Sequence, residues 1–323
     1  MKIAAYHRYG GANVVTIEDA VSPVPKEHEV LVRVRAAVVT SADVAARSGR
    51  PIFSRLFFGI LGPRLTVLGT EFAGDVEAVG SNVTRFSVGD AIVGATGARF
   101  GAHVEYLCVS EDAAIAIKAT NVDHVEAVAI VEGALTALPF LRDIAHLRAG
   151  QTVLINGASG SVGSAAVQLA RQLGARVVAV CGAANAELVR GIGAHEVIDY
   201  AETDFTTGAP RYDVIFDAVG KSSFVRSRAA LTPDGIYLST VPGLPILLQM
   251  AWTRRSRGKR AAIAFTGLRP AAAKVPDLVY LTSLIESGAL VPVVHERYPF
   301  ARVAEAHAAV DTGHKRGAAV LAL

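Results

Sequence analysis

The stretch Asn156-Gly157-Ala158-Ser159-Gly160-Ser161-Val162-Gly163 decides the fold of this chain. Just before its Asn156 runs Thr152-Val153-Leu154-Ile155, brief, apolar and β-branched, which reads as a buried strand. After it, Val162, Ala166, Leu169 and Leu173 recur at helical spacing. The next apolar run, Arg176-Val177-Val178-Ala179-Val180, completes a βαβ unit. Glycines in such a turn permit a sharp reversal and a close backbone approach to a pyrophosphate, and the last lets helix pack on strand. The helix N-terminus adds N–H groups and the positive end of its dipole. The spacing is GxxGxxG instead of GxGxxG, so the strand-turn-helix context carries the reading. Gly157, Ser159, Gly160, Ser161, Val162 and Gly163 are the expected cofactor contacts.

Further runs of the same kind, Asp213-Val214-Ile215-Phe216, Gly235-Ile236-Tyr237-Leu238 and Ala262-Ile263-Ala264-Phe265, extend the pattern into a doubly wound parallel sheet. Such sheets bind ligands at the carboxyl ends of their strands, which selects Val219 and Gly220 after one run and Thr240 and Val241 after the next. Cofactor choice falls at the end of the second strand, Val180-Cys181-Gly182-Ala183-Ala184-Asn185. No carboxylate stands there to hold a ribose 2′-hydroxyl or repel a 2′-phosphate, so NADPH is preferred to NADH. Cys181, Gly182, Asn185 and Tyr200 flank that position, although a strand-end tyrosine also serves simply by packing; the nearest cation, Arg190, lies a helical turn or more away.

Residues 1–120 differ, with the strand-like Glu29-Val30-Leu31-Val32-Arg33-Val34-Arg35 and glycines at 69, 74, 80, 89, 94, 97 and 101. They predict a mostly antiparallel β domain. Past residue 267 come a helical stretch over 271–287, the run Val291-Pro292-Val293-Val294, a helix over 301–311 and a strand at 318–321, read as a tail that rejoins the first domain. The expected boundaries are 1–122, 123–267 and 268–323.

At 323 residues the chain suits about two domains. With 51% hydrophobic and 19% charged residues, disorder is excluded as the main state, and a net charge of +3 gives no reason to expect nucleic-acid binding. Cys108 and Cys181 are too few and too distant for a disulfide framework or a four-cysteine zinc site. The start, Met1-Lys2-Ile3-Ala4-Ala5-Tyr6-His7-Arg8, lacks a secretory pattern, and the apolar tract 244–252 is shorter than the ~20 residues of a spanning helix. A cytoplasmic protein with no integral membrane segment is expected.

The glycine turn, together with Ala186-Glu187-Leu188-Val189-Arg190-Gly191-Ile192-Gly193-Ala194 and Val197-Ile198-Asp199-Tyr200, resembles the zinc-independent quinone oxidoreductase branch of the medium-chain dehydrogenase/reductase superfamily. Gly69-Thr70-Glu71-Phe72-Ala73-Gly74, Val79-Gly80 and Val88-Gly89-Asp90 resemble its GroES-like catalytic domain, and His314-Lys315-Arg316-Gly317-Ala318-Ala319-Val320-Leu321 its ending. The resemblance implies a Rossmann domain beside a GroES-like, mostly antiparallel β domain, and a homodimer joined near residues 262–267. In the family's zinc enzymes a catalytic metal is held at positions that here carry Thr40, Thr70 and Glu132. Two hydroxyls and a carboxylate suit Zn²⁺ poorly, so no metal is expected.

The resemblance also implies roles. Thr40 would donate a hydrogen bond toward nicotinamide ribose and substrate, Thr136 would lie near the nicotinamide and phosphate, and Arg316 would reach the cleft from the tail. Glu132 is either a pocket carboxylate that protonates an enolate or a salt-bridged structural group. Phe53, Phe57 and Phe58, on a loop with Arg50, Arg55 and Arg64, are candidate walls for a flat substrate, as is Trp252. Trp252 precedes a basic run over 254–260 that reads as a lid flank, an oligomer contact, a weak membrane patch or merely a solvated face. Without a Lewis acid, alcohol oxidation is difficult, whereas an activated acceptor needs only orientation and stabilisation of the developing enolate. NADPH-dependent reduction of a quinone or of an α,β-unsaturated ketone or aldehyde follows. The alternatives are a non-catalytic NADPH-binding protein and an NAD(P)-dependent alcohol dehydrogenase; a short-chain dehydrogenase is disfavoured because no Tyr is followed four residues later by Lys.

Overall fold

A computed structural model describes the whole chain except Pro210, Ser256 and Arg257, with Phe53 described by its backbone alone. Two compact units emerge. One comprises residues 1–132, 267–288 and 292–323; the other comprises residues 133–266 and 289–291.

The second unit is built on six parallel strands. Their order across the sheet is Glu196–Asp199, Arg176–Cys181, Thr152–Asn156, Tyr212–Asp217, Leu231–Ser239 and Arg260–Ile263. Counted along the chain this is 3-2-1-4-5-6, the order of a dinucleotide-binding sheet. The direction of winding reverses between Thr152–Asn156 and Tyr212–Asp217, where the glycine turn leaves the sheet. Val153, Leu154, Ile155, Val177, Val178 and Phe216 are buried, as strands covered on both faces require. The amphipathic crossover helix Ser161–Gln172 turns its Ala165, Ala166 and Leu169 inward.

The first unit holds a mixed seven-stranded sheet. Its longest strand, Glu29–Val39, pairs antiparallel with Glu71–Val79, with Tyr106–Ser110 and with the terminal strand Ala318–Ala322. Its core gathers Val30, Val32, Val34, Phe72, Ile92 and Ile115 from alternating strand positions.

One element differs from the sequence reading, and one run is resolved by the structure. The run 291–294 leads into a strand at Val294–Pro299 and joins it only at its last residue. Pro292 has no N–H to offer a ladder, and the backbone of Val291 is already held at both ends by Gln168, whose Oε1 accepts its N–H at 2.8 Å and whose Nε2 donates to its carbonyl at 3.2 Å. The last sheet strand runs Arg260–Ile263 because Ile236–Ser239 pairs with those four residues, so residues 264 and 265 fall beyond it. Among the described residues one helical stretch, His124–Ile144, is long and apolar enough to cross a membrane, and 78% of its apolar window is buried inside the protein. The tract 244–252 lies instead on the short apolar helix Leu244–Thr253.

Candidate functional site

In the second unit the glycine turn is locked by its own backbone. Gly157 N and Ala158 N both donate to Val180 O at 3.0 Å, and Gly160 N closes the turn on Gly157 O at 3.1 Å. Gly157 adopts φ +79, where a side chain is strained, and a Cβ there would lie 2.5 Å from Val219. A Cβ on Gly163 would meet Gly157 O at 2.1 Å, so helix and turn touch backbone to backbone. A Cβ on Gly160 would lie 3.5 Å from Gly157 O, an ordinary van der Waals contact. The first helical hydrogen bond is Ser164 N to Gly160 O, which leaves the N–H groups of Val162 and Gly163 without intrahelical acceptors. A shallow cradle ending in outward N–H groups fits a pyrophosphate.

The other expected contacts gather at the same edge. Asn185 Nδ2 donates to Ser159 Oγ at 3.3 Å, and a Cβ on Gly182 would come within 3.2 Å of the Tyr200 hydroxyl, which places this exposed tyrosine over the end of the second strand. Cys181 is buried, and burial pushes its thiol up, so its backbone is what it presents. Asp217, fully buried, anchors the far side: its carboxylate accepts from Asn156 Nδ2, from the N–H groups of Val219, Gly220 and Ser222, and from the Tyr237 hydroxyl. Thr240 N donates to Asp217 O at 3.1 Å, and Gly220, at φ +67, packs on Val241. Thr136 is half-buried in the last turn of the helix His124–Leu138. Three residues before it, a Cβ on Gly133 would lie 2.4 Å from Ser161 O, so this helix runs hard against the start of the crossover helix. A groove of about 820 Å³ opens beside the second strand, and Arg190 lines it together with Cys181 and Ala183.

In the first unit a polar cluster surrounds the end of the strand Glu29–Val39. Thr40 caps the helix Ser41–Ser48, and its N–H and hydroxyl both donate to Asp43 Oδ2 at 2.7 Å. The hydroxyl's one hydrogen is therefore engaged, and Thr40 offers a ligand an acceptor in place of a donor. Asp43 Oδ1 accepts from Gly69 N at 2.7 Å, which fixes the loop carrying Thr70 and Glu71. Thr70 Oγ1 donates to Glu71 Oε2 at 2.5 Å. Burial, then the charge of Glu132, lifts the Glu71 carboxyl from the ordinary carboxylate range to about 8. Burial likewise raises Glu132, against the opposing pull of Lys315. Lys274, buried and donating to Gly267 O at 2.9 Å, is pushed down by its burial while Glu71 draws it back, and Lys315 behaves in the same way toward Glu132. Two carboxyls and two ammonium groups thus face one another beside Asp43.

This set does not fit a zinc ion. The hydroxyls of Thr40 and Thr70 both donate to carboxylates, which leaves one carboxylate, Glu132, under the charge of Lys315, where zinc sites are built chiefly of thiolate and imidazole.

The remaining candidates disperse. Phe58 packs edge-on against Phe100 at 5.7 Å, within the core of the first unit, while Phe57 is exposed and the Phe53 side chain lies outside the described residues. Arg316 is exposed in the first unit, and Trp252 is exposed on the helix Leu244–Thr253 of the second. Asp43, Glu71, Lys274, Lys315, Asp217 and Gly133 escaped the sequence reading; only Glu71 and Lys315 carried a hint, each lying inside a run already singled out.

Comparison with known proteins bears directly on this arrangement. Residues 26–121 match the alcohol dehydrogenase GroES-like domain and residues 192–321 match a zinc-binding dehydrogenase domain. A quinone oxidoreductase from Pseudomonas aeruginosa is 32% identical over 97% of this chain and 97% of its own. The chain belongs to the medium-chain dehydrogenase/reductase superfamily, in its quinone oxidoreductase-like branch. An NADPH-dependent alkenal/one oxidoreductase from Arabidopsis thaliana chloroplasts is 31% identical to this medium-chain reductase over 99% of the chain and 79% of the relative. The solved Escherichia coli quinone oxidoreductase complexed with NADPH superimposes with a TM-score of 0.84 at 26% identity over the full length of both chains. The protein is an oxidoreductase with a nicotinamide-type cofactor site, and the two units are the GroES-like and Rossmann domains of this family.

Proposed function

We propose that this reductase transfers hydride from NADPH to a quinone or to an α,β-unsaturated ketone or aldehyde. The observation that carries the cofactor choice is the end of the second strand, whose own loop presents Gly182 and Asn185, beside Tyr200, and no carboxylate; Arg190 lines the adjoining groove, together with Glu196, Asp199, Glu202 and Asp204 of the neighbouring segments. Arg190 forms no ion pair among the described residues and would be the partner of a 2′-phosphate. Gly157, Gly160, Val162 and Gly163 would hold the pyrophosphate, and the loops after Asp217 and Ser239 would meet the rest of the cofactor through Val219, Thr240 and Val241. The bound cofactor supplies the hydride.

What the chain itself supplies is the proton. A carboxyl that stays neutral at pH 7 is an acid in waiting, and Glu71 is one. Thr70 occupies its Oε2, so the proton resides on Oε1. On losing it, the carboxylate faces the Lys274 ammonium, which offsets the charge. Glu132 with Lys315 forms a second such pair. The acceptor classes follow from this chemistry: hydride plus one proton reduces a quinone or a conjugated carbonyl by two electrons, and the names of the relatives point the same way. A panel of quinones, 2-alkenals and enones, followed by NADPH consumption, tests the reading. Oxidation of NADPH by at least one acceptor class, much faster than of NADH, is expected; no turnover with any acceptor would make the protein a nucleotide-binding relative without catalysis.

A further inference from the structure

The helix Leu244–Thr253 contains no charged residue. One side rests on the core of the Rossmann domain through Ile246, Leu247 and Met250. The opposite side has no cover: Leu244, Leu248 and Trp252, spaced at i, i+4 and i+8 and so on one face, are 70%, 62% and 71% exposed. Three large apolar side chains in line are not the scattered singles of an ordinary surface.

Directly after the helix come Arg254, Arg255, Lys259 and Arg260. Among the described residues none of the four is ion-paired with a carboxylate; Lys259 Nζ donates instead to Arg228 O at 2.6 Å. Beside the tryptophan lies a pocket of about 280 Å³ whose walls are Phe224, Trp252, Arg228, Arg255 and Lys259, cationic and aromatic with no acid among its lining residues. With Arg257, which lies outside the described residues, residues 254–260 carry five cations, more than the net charge of +3 of the entire chain. An apolar stripe about 12 Å long with a cationic flank is too short to span a bilayer and suited to lie in its interface.

We propose that this face docks the protein on an anionic lipid bilayer, with Leu244, Leu248 and Trp252 among the upper acyl chains and the basic residues, Arg255 and Lys259 at the pocket, against headgroup phosphates. Charge complementarity selects this occupant. A second copy of the chain, paired symmetrically through the same face, would set cations against cations. The inference stands independently of which acceptor the enzyme reduces.

Trp252 is the sole tryptophan of the chain, so its emission reports on this face alone. The full-length protein is titrated with phosphatidylcholine vesicles, with and without phosphatidylglycerol, and followed by tryptophan emission and co-sedimentation. A blue shift and sedimentation with the anionic vesicles only, both weakened by added salt, are expected. Arg254→Gln with Arg255→Gln lowers the partition coefficient about five-fold per charge. Leu244→Ser with Leu248→Ser abolishes the shift, with unfolding midpoints compared to confirm that the variants fold. Absence of binding to anionic vesicles, equal binding to both vesicle types, or a concentration-dependent blue shift without lipid, which marks self-association, each overturns the proposal.

Discussion

Replacing Glu71 by Gln removes the one carboxyl of the cluster raised to about 8 from a reference of 4.5. A shift of roughly 3.5 units corresponds to an upper bound of about 5 kcal/mol at about 1.4 kcal/mol per unit. The sign follows from proton counting. Between pH 4.5 and about 8 the folded state keeps a proton that the unfolded state releases, so the native protein loses stability as pH rises through that window, and the penalty is complete above the folded value. Gln fills the same volume and still accepts from Thr70 but does not ionise. At pH 5 Glu71→Gln is expected to be equal to the wild type or about 1 kcal/mol less stable, and at pH 9 more stable by several kcal/mol, so that the two curves cross. Denaturant unfolding at half-unit steps from pH 5 to 9 measures the difference directly, and other titrating groups cancel between the two proteins. The same substitution lowers kcat about 100-fold and removes the alkaline fall in rate near pH 8. Parallel stability curves would show that Glu71 is ionised in the folded protein and that a different group supplies the proton.

Three further outcomes follow from the geometry. Arg190→Gln raises KM for NADPH about ten-fold and leaves KM for NADH unchanged, since only the phosphate is lost; equal effects on both cofactors in steady-state kinetics would remove the arginine from the 2′-phosphate. Gly163→Ala forces a methyl group into a site 2.1 Å from Gly157 O, and a fall in unfolding midpoint equivalent to about 2 kcal/mol or more, with weaker NADPH binding by fluorescence titration, is expected. His307, fully buried against His103 at 5.7 Å, is held well below the usual imidazole value by its burial, so the native state resists a proton that the unfolded chain takes up and stability declines as pH falls below about 6.5. His307→Leu flattens this acid limb by up to about 1.4 kcal/mol per pH unit, measured by thermal unfolding between pH 4.5 and 7; an unchanged slope refutes it.

Much of the Rossmann half was legible because its signals are local. A glycine turn between a β-branched run and a helical period declares itself within twenty residues, and the missing carboxylate after Cys181 is read from a single position. The GroES-like half hid its chemistry. Glu71 and Lys274 are brought together by folding from remote parts of the chain, and no spacing rule joins them. Asp43 drew no reading from the sequence, yet it commits the hydroxyl of Thr40, which the resemblance offered as a donor. Phe58 shows the same limit from another side: an aromatic on an arginine-rich loop has the composition of a pocket wall, and only packing against Phe100 shows that it serves the core. The place of Val291 was not legible, because the side chain that satisfies its backbone, Gln168, belongs to a helix distant in sequence.

The pairing of Ala318–Ala322 with Glu29–Val39 has a consequence for biosynthesis. The sheet of the first unit stays open until the far end of the chain has left the ribosome, while the Rossmann unit is, but for residues 289–291, one uninterrupted segment. During translation the middle of the protein is therefore complete before the sheet of the first unit can close. Until then the end of the strand Glu29–Val39, at residues 36–39, keeps one unsatisfied edge, while Glu71–Val79 and Tyr106–Ser110 are already available to the rest of it.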